Sequence, residues 1–387
     1  MSRVVGIICE YNPFHKGHKY QIEQIRAEIP DATIIAIMSG NIVQRGEFAI
    51  ISKYDRAKIA LELGVNAVFE LPYPYSGSTA EIFAHAGVEI ASKLCCDYLY
   101  FGTESKSLSE LEKISDLVDS REFESVMKEF MADKALSYIS CKSMALKSLG
   151  VEGVDSANDM LAIEYIRAIK KKNLPIEYRA IARIGASYNS LESCDVMSAT
   201  AIRSHYYTNG SFVSVPASEA YGRIAKEKRT LDYKTFSRLL HTFVLLNSDK
   251  IDKAFDTPPE MAALIKTEAK KCSDSGAFLD TLSSKKFTSA RMKRAILYAL
   301  FDVSCVDFSP EFTILLGMDK KGQSFVNKIK KEKQIEIITK HADGKRLGEK
   351  AIELLEKLYL ADGVYNTLLL NQRSPSEAYK NKPIIKN

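Results

Sequence analysis

The chain lacks the segments that would mark a membrane protein, a secreted protein or a metalloprotein. No apolar run in its 387 residues approaches the roughly 20 that a membrane helix needs. Its start shows no basic region followed by a long apolar segment and a cleavage site. Seven cysteines, an odd number, stand at Cys9, Cys95, Cys96, Cys141, Cys194, Cys272 and Cys305 without metal-type spacing. That usage predicts reduced thiols and a cytoplasmic location. Histidine is scarce, and only His15, His18 and His85 precede position 200. No internal repeat or low-complexity tract is present, and no obligate protein partner is evident. With 46% hydrophobic and 27% charged residues, the chain can bury a proper core, and its length fits two or three domains.

What is present concentrates near the start. Val4 to Cys9, "VVGIIC", is a mostly β-branched run suited to a strand buried on both faces of a parallel sheet. Pro13 interrupts regular structure, and "HKYQIEQIRAEI" from His18 then carries Tyr20, Ile22, Ile25 and Ile29 at helical spacing. Between strand and helix stands His15-Lys16-Gly17-His18. The amides and dipole of a helix start attract anions, and a glycine lets the backbone approach a phosphate. Two imidazoles there can donate hydrogen bonds to phosphoryl oxygens as charge builds. Histidines at i and i+3 also suit a metal site or an ordinary surface, but no cysteine pair stands nearby at ligand spacing, and no metal ligand is assigned.

A second element stands near position 200. The strand-like "IEYRAIAR" of Ile176 to Arg183 is followed by Met197-Ser198-Ala199-Thr200-Ala201-Ile202-Arg203. Ser198 as helix N-cap would turn the Thr200 hydroxyl and the Arg203 guanidinium toward the anion site. Alone it would be a plain capping motif; with the histidines it is far more specific.

These two elements together resemble the HxGH nucleotidylyltransferase superfamily, whose members transfer an AMP or CMP group and release pyrophosphate. Longer runs, "GIICEYNPFHKGHKY", "MSGNIVQRGEFAIISKYDRAKIAL", "GVNAVFELP" and "FGTES", are similar to the bacterial tRNA(Met) cytidine acetate ligase family. The match is strongest from Val4 to about His205. The resemblance implies that ATP and acetate form acetyl-adenylate, which then acetylates N4 of the wobble cytidine of elongator tRNA(Met), with Mg2+ carried by the ATP. It places ATP contacts on Ile7, Ile8, Cys9, Glu10, Tyr11, Asn12, Pro13, Phe14, His15, Lys16, Gly17, His18, Lys19 and Tyr20, and on Gly102, Asn158 and Arg183. His15 and His18 are expected on the triphosphate, and Thr200 and Arg203 on the departing pyrophosphate.

The chemistry is reasonable from first principles. Acetate, like a Glu side chain of pKa about 4.3, is already ionised at neutral pH and needs no general base. The site has only to position reactants in line and neutralise the leaving group. Cytosine's exocyclic amine is a poor nucleophile, so the acyl group must arrive activated, and an adenylate achieves this. Lys16 and Lys19 suit solvated charges at a helix start. Lys53 and Arg56 in "ISKYDRAKIAL" suit the polar face of a surface helix. Ser39-Gly40-Asn41, after the strand-like "TIIAIM", forms a second loop where ligands of open α/β folds bind, and could line the acetate pocket.

Charge is divided unevenly. Residues 1–205 hold 23 Lys and Arg against 27 Asp and Glu, and residues 206–387 hold 31 against 22. A basic second half fits a polyanion partner, since neutralising phosphates releases counterions. Lys285, Lys286, Arg291, Lys293 and Arg294 fall in ten residues without an acid, with Arg291 and Arg294 at i and i+3 on an expected helix capped by Thr288 or Ser289. These five are the RNA-binding candidates. Lys320 to Lys333 is as well read as a solvated helix face, and Phe287 and Tyr298 suit the core better than base stacking.

Strand-like segments alternating with helices predict an α/β fold: a parallel doubly wound sheet over residues 1–205, followed by a mainly helical basic domain over 206–387. The acidic stretch Ser107 to Asp133 reads as surface helices inserted in the first domain. "FTILLGM" and "IEIITK" suggest a small mixed segment near the end, then a helix over Lys345 to Tyr359 and a loosely held tail after Asn371. Two other classes remain open: a transferase that adenylylates a small phosphomonoester, and an RNA-binding protein with a vestigial nucleotide site.

Overall fold

Every residue of β2 (Thr33–Ser39) is buried, as a strand covered on both faces requires. The computed structural model describes residues 2–133, 136–154, 156–183 and 197–386, so Cys194 lies outside the described residues. Around β2 stand β1 (Val4–Cys9), β5 (Ala67–Leu71), β6 (Tyr98–Thr103) and β7 (Glu177–Ala182). All pair in parallel, in the order β5-β2-β1-β6-β7. The chain leaves β1 toward one side for β2 and β5, and resumes on its other side with β6 and β7. The order therefore reverses at β1 and β6, and open α/β sheets bind ligands beyond the carboxyl ends of such a strand pair.

The crossovers are α1 (Lys16–Glu28), α2 (Lys53–Glu62), α3 (Ala80–Lys93) and an insert of α4 (Leu108–Val118), α5 (Arg121–Met131), α6 (Tyr138–Ser148) and α7 (Ala157–Lys171). A short hairpin, β3 (Ile42–Val43) with β4 (Glu47–Phe48), follows β2. Side-chain alternation splits the core: Ile34, Ala36 and Met38 face one cluster with α1 and α2, and Ile35 and Ile37 face another with α3 and α7.

After α8 (Ala199–Asn209) the chain is largely helical, through α9 (Ser218–Lys226), α10 (Tyr233–Leu246), α11 (Ser248–Lys253), α12 (Pro259–Lys271), α13 (Phe278–Thr281) and α14 (Ser289–Leu300). The end departs from expectation. β8 (Phe312–Asp319) forms no separate mixed unit; it joins the main sheet antiparallel to β5. After α15 (Lys320–Glu332), β9 (Glu336–Ile338) pairs with β8. After α16 (Glu349–Thr367), the tail expected to be loose supplies β10 (Ile384–Lys386), parallel to β8 and tied by Lys386 Nζ to the Leu61 carbonyl at 2.7 Å. The physical reason is the unpaired edge of β8, whose amides and carbonyls accept a strand from the same chain.

Candidate active site at the switch point of the sheet

The loop leaving β1 is held from several directions. Arg56, fully buried on α2, spreads its guanidinium over four carbonyls: Ile51 at 3.2 Å, Glu10 at 2.6 Å, Ser39 at 3.0 Å and Gly40 at 2.5 Å. It joins the first and second loops. Asn12 Oδ1 accepts from the Ile50 amide at 2.9 Å. From α9, buried Tyr221 takes the Phe14 amide at 2.9 Å and donates to the Phe14 carbonyl at 3.2 Å. A loop so over-determined presents its side chains in one geometry, which phosphate positioning requires.

His15 is the N-cap of α1. Its Nδ1 accepts from the Gly17 amide at 3.1 Å, while His18 Nδ1 accepts from the His15 amide at 3.2 Å. The rings stack with centroids 3.8 Å apart. Since both Nδ1 atoms are acceptors, the hydrogen bonds assign the Nε2–H tautomer to each ring, leaving two neighbouring N–H donors without a partner among the described residues. Burial first, then the Arg183 charge, lowers His15 to about 4. His18 is pushed well down by burial, with His15 and Arg183 adding to it. It keeps part of its surface open although protein surrounds it densely. Both rings are thus neutral donors at pH 7.

Folded-state values below the unfolded value of about 6.5 mean that the neutral rings contribute stability present above that pH and lost as pH falls toward 4. The thermal midpoint followed from pH 7.5 to 4 should fall more steeply for the parent protein than for His15→Gln, which has one imidazole fewer to charge. Parallel curves would contradict the assignment.

The late element arrives as expected in geometry. Ser198 caps α8 by accepting from the Ala201 amide at 3.2 Å. Arg203 donates to the Asn12 carbonyl at 2.7 Å, with Thr200 Oγ1 at 3.4 Å from its other terminal nitrogen. Thr200 and Arg203 are therefore drawn to the same loop as the histidines.

Gly102, Asn158 and Arg183 also converge. Asn158 Nδ2 donates to Glu104 Oε1, and Arg183 Nη1 lies 3.4 Å from the same oxygen. A Cβ on Gly102 would stand 3.2 Å from Arg183 Cγ. Sequence patterning overlooks Glu104 and the fully buried Asp159. Asp159 accepts from the Glu104 amide at 2.9 Å and the Ser105 hydroxyl at 2.7 Å, and so shapes the loop after β6. Glu104 sits two residues past Gly102 in "FGTES", a signal that could have found it.

Two expectations need correction. Lys53 and Arg56 are not on a solvated face: both are buried, and Lys53 Nζ lies 2.7 Å from Glu70 and 2.5 Å from Asp362. The basic run on α14 is not an open phosphate-binding face either. Arg291 is paired with Asp256 at 2.5 Å, Lys293 with Glu47 at 2.6 Å, and Arg294 donates to the Gln44 carbonyl at 3.0 Å. Thr288 does cap the helix. Lys286 lies beside the Phe287 ring, Lys285 is exposed, and Phe287 and Tyr298 are buried. Lys19 makes an exposed pair with Glu23 at 3.6 Å. Among the described residues, Glu81, His85 and Glu164 bring three possible metal-ligand atoms within 4.8 Å. Glu164 is already taken by Lys142 at 2.8 Å and Arg167 at 2.5 Å, which competes with any cation. No helix among the described residues is long and apolar enough to cross a membrane.

Comparison with known proteins gives the family and the fold. The model of the HIGH Nucleotidyl Transferase family matches residues 2–381. A tRNA(Met) cytidine acetate ligase of Thermosipho melanesiensis is 35% identical over 362 residues, 87% of this chain and 84% of that protein. Another, from Caldanaerobacter subterraneus, is 32% identical over 401 residues, 99% of each chain. A crystal structure of Thermotoga maritima TmcAL bound with alpha-thio ATP superposes over 100% of both chains with a TM-score of 0.88 at 24% identity, a likeness of fold.

Proposed function

Since the chain belongs to the tRNA(Met) cytidine acetate ligase family of HIGH nucleotidyl transferases, we propose that it activates acetate with ATP and transfers the acetyl group to the wobble cytidine of elongator tRNA(Met). In the first step an acetate oxygen attacks the α-phosphorus, the bond to the β-phosphate oxygen breaks, and pyrophosphate leaves with the electron pair. In the second, cytidine N4 attacks the acetyl carbon, the bond to the phosphate oxygen breaks, AMP leaves and the amine gives up a proton to solvent.

The observation that carries the reading is the stacked His15–His18 pair at the carboxyl end of β1, both Nε2–H groups being uncommitted among the described residues. Neutral donors fixed beforehand meet the growing charge of a phosphoryl transition state without reorganisation. Thr200 and Arg203 take the departing pyrophosphate. Glu104, Asn158 and Arg183 offer a carboxylate, a carboxamide and a guanidinium, a set suited to the hydroxyls and amine of a nucleoside. Magnesium enters on the triphosphate. The catalytic part is built mainly from the first 205 residues, with β8, β10 and Tyr221 of the second half completing its sheet and loop, and the basic second half, where Lys285 is exposed, carries the tRNA in the cytoplasm.

Labelled acetate supplied with ATP and unmodified tRNA(Met) should place label on one cytidine, and acetate should be required for exchange of labelled pyrophosphate into ATP. If a small phosphomonoester is adenylylated instead, with no label on RNA, the alternative transferase is the correct reading. If neither reaction occurs with all substrates present, the nucleotide site is vestigial.

A further inference from the structure

The hairpin after β2 carries at its tip an arginine that no hydrogen bond or ion pair among the described residues explains. Its tip, Gln44-Arg45-Gly46, is anchored on both sides of Arg45. The Gln44 amide donates to Glu10 Oε1 at 2.8 Å, so the tip is fastened to the loop that carries His15 and His18. The Gln44 carbonyl accepts from Arg294 at 3.0 Å, and Glu47 takes Lys293 at 2.6 Å, fastening it to α14. Gly46 sits at φ +72, and a Cβ there would stand 2.5 Å from the Arg294 amide nitrogen. Only glycine lets the tip lie this close to the helix. Arg45 itself is exposed and has no hydrogen-bond or ion-pair partner among the described residues.

Its surroundings are also unusual in charge. Arg203, which donates to the Asn12 carbonyl of the histidine loop, is held below its usual range chiefly by burial; Glu47 and Glu10 act against this, and Arg45 is close enough to add a smaller repulsion. Glu47 is committed to Lys293 and Glu10 to the Gln44 amide. Two guanidiniums within electrostatic reach, one half-buried and neither paired with a carboxylate among the described residues, leave room for a polyanion.

We propose that Arg45 is a further catalytic residue, which together with Arg203 grips the β- and γ-phosphoryl groups as they leave as pyrophosphate. The inference rests on the acetate-activation reading above. Arg45 transfers no proton; it offers planar N–H donors to oxygens that gain charge as the bond from the α-phosphorus breaks. A backbone phosphate of the RNA has the same chemistry. Pyrophosphate is favoured because the tip is bonded to the histidine loop itself.

The test uses the full chain with Arg45→Ala and Arg45→Lys, in acetate-dependent exchange of labelled pyrophosphate into ATP, without RNA. For Arg45→Ala the KM for pyrophosphate should rise about 10- to 100-fold, the range for losing a hydrogen bond to a charged group. Arg45→Lys should recover part of this, the KM for acetate should stay put, and the thermal midpoint should hold because no partner is lost. Unchanged exchange kinetics in Arg45→Ala would overturn the inference, whether or not the KM for tRNA rises; a rise would assign Arg45 to RNA. Absence of acetate-dependent exchange in the parent protein would instead sink the reading beneath it.

Discussion

His18→Ala should lower acetate-dependent exchange of pyrophosphate into ATP by about 100- to 1000-fold, the usual loss when one preorganised donor to a developing charge is removed. Acetylation of tRNA should fall in step, because both readouts pass through the adenylate. The ring has two duties that the experiment can separate. Its Nδ1 accepts the His15 amide at 3.2 Å, and its Nε2–H is the donor left uncommitted among the described residues. Losing the first leaves an amide without its acceptor, at a cost of about 1–3 kcal/mol of stability where no water replaces it. Losing the second affects only the reaction. His18→Asn can still offer an acceptor near the amide while displacing the donor, so it should regain much of the thermal midpoint without regaining the rate. Label transfer that survives His18→Ala would strip the imidazole pair of its central role.

The parts of this site that can be read in the sequence are those made by neighbours along the chain. A strand, a loop with His15 and His18 and a helix occupy one short segment, and local periodicity is enough to order them. Ser198 as a cap follows from residue type and position. What escapes depends on partners far apart in sequence. Tyr221 clasps Phe14 across 207 residues. Arg291 and Lys293 find Asp256 and Glu47, so a run that looks basic in one dimension is neutralised in three. Nothing in "FTILLGM" says which edge β8 will join, and a small closing unit is as consistent with it as antiparallel pairing with β5, which only packing settles. Lys53 and Arg56 mislead for the same reason: helical spacing places two cations on one face, but says nothing of whether that face meets water.

Lys53→Met should destabilise the fold by about 3–5 kcal/mol, because removing one partner of a buried ion pair leaves uncompensated charge inside. The ammonium lies 2.7 Å from Glu70 Oε2 and 2.5 Å from Asp362 Oδ2, and all three residues are buried. Asn41 completes the group, donating to Asp362 at 2.8 Å and accepting from the Lys53 amide at 2.8 Å. Burial alone would push Lys53 down, and the two carboxylates together outweigh it and hold the charge. Burial also holds Glu70 above the usual carboxylate range despite Lys53, with Asp362 adding to the rise. A carboxyl raised in the folded state gives stability that is present at low pH and lost as pH rises through its folded value. Without the ammonium that rise must be larger. The gap between parent and Lys53→Met in denaturant midpoint should therefore widen from pH 5.5 to 8, while the triple change Lys53→Met, Glu70→Gln, Asp362→Asn, which leaves no charge to bury, should close much of it. Equal midpoints for parent and Lys53→Met at pH 8 would refute the argument. Because Asn41 belongs to the second loop and Arg56 ties that loop to the first, loss of this buried group should reach the site as well: in Lys53→Met, exchange activity per folded molecule should fall even at pH 5.5, where most of the stability returns.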